Sequence, residues 1–138
     1  MKKLFMLLPL LFIAPLAMAI DSQDEENYKK EYSKQLHPMV IQKLSADRPE
    51  MTAQAIKAEA DAYVTKMAGC QLKGLENFPE HYREQAILPV ANGEGIAETT
   101  QALNQKMIAD IEAGKLSKDQ ATVIIGNAQE TVQICLNS

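Results

Sequence analysis

The sequence predicts an all-α protein: a small bundle of four or five helices, orthogonal or up-down, stapled by one disulfide and ending in an antiparallel helix hairpin. Three observations carry that expectation. Past residue 19, apolar residues recur at helical spacing in each long segment between turn signals. Fifteen of the 49 AVILMFWYC residues in that part are alanine and five are aromatic, which suits closely spaced helices better than a sheet sandwich. The only two cysteines, Cys70 and Cys135, both fall on apolar stripes.

Residues 1–19 have the make-up of an export signal. Lys2-Lys3 is followed by the apolar run Leu4 to Ile13, and Ala17-Met18-Ala19 offers small residues at the two positions a signal peptidase reads. Cleavage before Ile20 is therefore expected, taking 19 residues from 138 and leaving 119, a single helical domain over 20–138. A stable membrane anchor is not expected. The stretch Leu4 to Ile20 is 17 residues with Pro9 and Pro15 inside it, short of the ~20 needed to span. No cysteine follows the small-residue site to accept a lipid. The expected product is soluble and exported, to the periplasm if the source is Gram-negative and otherwise secreted.

The elements follow in order. Asp21 to Gln35 is strongly polar, with acids early and Lys29, Lys30 and Lys34 late, the order a helix dipole favours. It reads as a short, loosely held helix that Pro38 ends or kinks, with one or two turns more over Met39 to Leu44; residues 20–44 form a loosely packed polar segment. Asp47 with Glu50 is in capping-box register for the next helix. Its stripe is Ile56, Ala60, Tyr63, Met67 and Cys70, with Gly74 as a stop. Phe78-Pro79 opens a short amphipathic piece through Leu88, closed by Pro89. After the Asn92–Gly95 loop, Ile96, Thr100, Leu103, Met107 and Ile111 share a face, and Gly114 suits a helix end. Ser117 with Gln120 makes a second capping box, and Leu116 with Ala121 a hydrophobic staple. The last helix is expected to bury Ala121, Ile124, Ile125, Ala128, Val132, Cys135 and Leu136, folded back on its predecessor across a short connection.

Two cysteines in an exported chain point to a Cys70–Cys135 bond. A zinc site would need two more ligands, and His37 and His81 do not flank either cysteine at finger-like spacing. There is no Cys-x-x-Cys for thiol oxidoreductase chemistry. Twelve Lys and Arg against 18 Asp and Glu give residues 20–138 a net charge of −6, with the lysines interleaved among acids. Nucleic acid is excluded as a partner on that ground, since its binding relies on clustered cations neutralising phosphates.

The densest group of reactive side chains is Glu80-His81-Tyr82-Arg83-Glu84. On a helix, His81 stands three residues from Glu84, so a His–carboxylate pair or a partial metal site centred on His81 with Glu80 or Glu84 is geometrically open. No nucleophile or third ligand at recognised spacing joins it, no cofactor motif is present, and no serine sits in a Gly-x-Ser-x-Gly context. Val123 and Ile134 point away from the core stripe of the last helix; either Tyr28–Leu44 covers them, the favoured reading, or they mark a binding surface. The function expected is a non-catalytic interaction module, an inhibitor, adaptor or chaperone-like factor for another exported or envelope protein. The alternative is a small hydrolase or metal-dependent enzyme at His81, and a third reading is a carrier of an apolar ligand between helices.

Overall fold

In the first helix, α1 (Ser22–Asp47), Asp21 accepts the Asp24 N–H at 2.8 Å while the Asp24 carboxylate accepts the Asp21 N–H at 3.1 Å, a reciprocal cap on two donors the helix leaves free. The computed structural model describes residues 20–138, so the export signal expected at 1–19 lies outside the described residues. Pro38 does not break α1. Its ring sits on the exposed side, so the lost N–H costs one hydrogen bond, and packing on both sides of it holds the helix. Tyr28 and Tyr32 are buried with their rings 5.5 Å apart, and beyond them His37 meets Asp61 of the next helix. Residues 20–44, read from the sequence as loosely held, are therefore a packed part of the bundle.

The second helix, α2 (Ala53–Leu75), is capped by Thr52, whose hydroxyl accepts the Ala55 N–H at 3.2 Å. Asp47, the cap expected from sequence, still belongs to α1 and pairs with Lys43 at 2.8 Å. The third, α3 (Glu80–Ala91), runs through Pro89 in its last turn instead of stopping before it. In α4 (Ile96–Glu112) the end is as the sequence implies: Gly114 takes φ +74°, a conformation that favours glycine. Ser117 and Gln120 then exchange 3.0 Å bonds to start α5 (Lys118–Leu136), and Leu116 and Ala121 are buried in one cluster as the staple predicts.

These five helices form an all-α bundle stapled by Cys70–Cys135, whose Cα atoms are 5.5 Å apart. α1 lies antiparallel to α2 and beside α3, tied by Ser33 Oγ to the Val64 carbonyl and by Arg83 to Glu25 at 3.1 Å. α5 lies antiparallel on α2. Their seam runs from Lys66 at the terminal Ser138 carbonyl, through the disulfide and Gly74, to Asn77, which donates to Thr131 at 3.0 Å. α4 packs on α3. Although only a short connection joins α4 to α5, the two do not pack along their lengths, and the hairpin stands open as a V.

Candidate functional site

The opening of that V is a concavity to which all five helices contribute lining residues. Its walls are Ile96, Thr100 and Asn104 of α4 and Ile125, Gln129 and Gln133 of α5; Tyr28, Leu75, Val90 and Leu103 lie beneath, and the cleft encloses about 510 Å³. Of the seven residues the sequence expects α5 to bury, only Ala121 is buried; Ile124, Ala128, Val132, Cys135 and Leu136 are half-buried, with Ala128 and Val132 against Gly74 of α2. Ile125 faces the cleft and keeps 38% of its surface exposed.

Among the lining residues none is Asp, Glu, Lys, Arg or His, although these acids and bases other than His make up 23% of the chain. The polar groups that do line it are neutral: Gln71, Asn104, Gln129 and Gln133 amides, Thr100, and the hydroxyl of Thr99. Thr99 is 5% exposed and its hydroxyl has no hydrogen-bond partner among the described residues. A buried hydroxyl without a partner is costly and rare. Burial also raises the pKa of Tyr28 and Tyr32, which keeps both phenols neutral.

At the shut end of the V a second recess of about 750 Å³ brings His81 of α3, Lys106 of α4, and Lys115, Asp119 and Val123 together. Beneath it is a charge network that sequence reading missed. Asp110 is buried, and its two carboxylate oxygens accept from Lys106 Nζ and from the Tyr82 hydroxyl, each at 2.6 Å. The Lys106 bond first, then that of Tyr82, holds the Asp110 carboxyl below its usual range. Tyr82 is pushed up to about 12, by burial first and then by the bond to Asp110. The signal was legible: Leu103, Met107 and Asp110 are spaced i, i+4, i+7, so an acid stands on an apolar stripe. Thr99, and not Thr100, begins that buried row.

The residues singled out from sequence are placed as follows. Glu80, His81 and Glu84 occupy the first turns of α3; the His81 ring rests against Tyr82, centroids 3.9 Å apart, and bonds to neither glutamate. No group of three or more His, Cys, Asp or Glu among the described residues is arranged to hold a metal ion. Cys70 and Cys135 are joined, as expected. Val123 and Ile134 are not covered by Tyr28–Leu44, which correction follows from α1 packing on α2 and α3; they stand 59% and 64% exposed. They share one outward face of α5. Asn127 and Glu130, both exposed, lie between them on the same face of α5. No described helix is long and apolar enough to cross a membrane. Comparison with protein-family models, curated proteins and solved structures finds no match to the chain.

Proposed function

We propose that this chain is an exported interaction module that acts by binding, and that the α4–α5 cleft receives part of another exported or envelope protein. The observation that carries the reading is the neutral lining of the cleft. Its apolar floor supplies the driving force for association, and its amide rim supplies hydrogen bonds at the edge. An ionised group entering would be desolvated with no counter-charge to meet it. The wall residues Thr100, Asn104, Gln129 and Gln133 are exposed, so a small molecule would keep one side in water, whereas a protein segment would shield it. Export is supported by the signal-like residues 1–19 and suits the disulfide. The enzyme reading at His81 draws less support, because neither Glu80 nor Glu84 engages the imidazole.

The test uses charge where the cleft has none. Thr100 and Gln129 are exposed on opposite walls, so T100E and Q129E should each leave the fold intact, at a cost under about 0.5 kcal/mol. Each should abolish retention of a partner that the wild-type chain holds in envelope extract. Retention unaffected by both variants sinks the cleft as the docking surface. A hydrolytic activity lost in H81A and kept in Q129E would put the enzyme in its place.

A further inference from the structure

Resting on that reading, we infer that the docking surface continues past the cleft along the groove between α1 and α2, and that its occupant is a single helix of the partner presenting an uncharged apolar face about 16 residues long. Tyr32 and Gln71 line both the cleft and a second concavity of about 550 Å³. That second concavity has Leu36, Met39, Val40 and Leu44 of α1 on one wall and Tyr63 and Met67 of α2 on the other. Met39 is 66% exposed and Tyr63 46%, the marks of an apolar surface without a cover.

On α1 the apolar lining runs from Tyr28 to Leu44, 17 residues, or 16 steps and about 24 Å at the helical rise. A helix laid there would make a third rod beside an antiparallel pair, its side chains seated between theirs. The thioethers of Met39 and Met67 adapt to varied apolar shapes, and Tyr63 offers a broad, stiff contact. Charge selects the occupant further. The four ionised residues at the far end of the groove are paired one to one, Lys43 with Asp47 and Arg48 with Glu59, and the near end is the neutral cleft. No uncompensated charge is left along the track for an anionic lipid or a charged peptide face to meet.

The experiment places a benzophenone amino acid at position 39, 63 or 125 of the full chain, all exposed sites, and irradiates cells of the source organism. The expected result is one partner protein joined at all three positions, with every cross-link inside one segment of roughly 16 residues whose apolar face carries no Asp, Glu, Lys or Arg. M39E with Y63E should then weaken that partner's binding by roughly tenfold or more without moving the thermal midpoint. Cross-links from position 125 alone, or full affinity in the double variant, overturn the extended track and leave the cleft reading standing. Cross-links from 39 and 63 but not 125, or from none, overturn both. A lipid adduct, a dimer of this chain, or cross-links to separate partner segments overturn the single-helix occupant.

Discussion

The half of the molecule made by α1, α2 and α3 and the half made by α4 and α5 are built from the same kind of sequence and reach different ends. In the first, three amphipathic helices cover one another: Ala60, Ala68 and Ile87 have no exposed surface. In the second, α4 is backed by α3 and α5 by α2; α4 and α5 share a cluster near their connection, through Met107 and Ala121, without packing along their lengths, and Ile125 is left facing an open cleft. An apolar stripe states which side of a helix avoids water and not what will lie against it. Where the covering element is in the chain the stripe becomes core; where it is not, the stripe is left as the wall of an open cleft.

The staple is the sharpest way to break that contrast. α5 is held chiefly by its seam with α2, so removing the Cys70–Cys135 bond should act on the open half first. The closed loop is 65 residues, for which chain entropy gives ~4 kcal/mol, and C135S should cost about 2–5 kcal/mol. That is on the order of a small domain's whole stability. Urea unfolding of C135S measures the cost, and binding of an apolar dye at low urea should show α5 leaving before α1–α3 unfold. A variant that unfolds in one step with no early dye binding would mean the two halves are a single cooperative unit.

Two glycines sharpen the comparison at the next scale. A Cβ on Gly74 would lie 2.7 Å from Val132 Cγ2 and 3.0 Å from the Ala128 carbonyl oxygen, whereas one on Gly126 meets nothing within 4 Å. G74A should therefore push α5 off α2 at a net cost of about 1–3 kcal/mol. G126A should instead gain about 0.5–1 kcal/mol from helix propensity alone. Thermal midpoints moving in opposite directions would confirm that the seam with α2, and not helix quality, limits α5. Equal shifts would refute it.

Much of this was legible before the fold was known. The Ser117 capping box, the left-handed Gly114 and the cysteine pair are local or stoichiometric signals, and each carries its own mechanism. Pro38 and Pro89 misled because a proline at an exposed or terminal helical position loses little, and packing of Tyr28, Tyr32 and Val90 outweighs it. Thr52 was passed over for Asp47 because α1 runs three residues past Leu44, which only its contact with α2 decides. The cleft was out of reach for the deeper reason already given: periodicity marks the face of α5 and is silent on its cover.

Acid should probe the shut end of the V. Asp110 has a depressed pKa in the folded state, so the stability it contributes is present above the ordinary aspartate value, ~4, and is lost as pH falls through its lower folded value. Asp61, bonded by Lys57 and His37, adds to the same slope. Urea midpoints from pH 6 to 2 should fall below about pH 4 and fall less steeply in D110N, which has no carboxylate to protonate. An unchanged acid slope in D110N would show that the Lys106–Asp110–Tyr82 network does not couple to folding.

The smallest effect expected is on stability at Val123 and Ile134, and it separates the two surfaces this molecule offers. Both side chains are more than half exposed, so V123E with I134E should cost under about 0.5 kcal/mol in thermal unfolding. Neither residue lines the α4–α5 cleft or the α1–α2 groove. With Asn127 and Glu130 between them, the pair also offers no continuous apolar patch to desolvate. Partner retention should therefore survive the double variant and be lost in Q129E, one face of α5 away. If the double variant abolishes retention while Q129E keeps it, the partner sits on the outer face of α5, and the cleft is a gap in packing and not the site of binding.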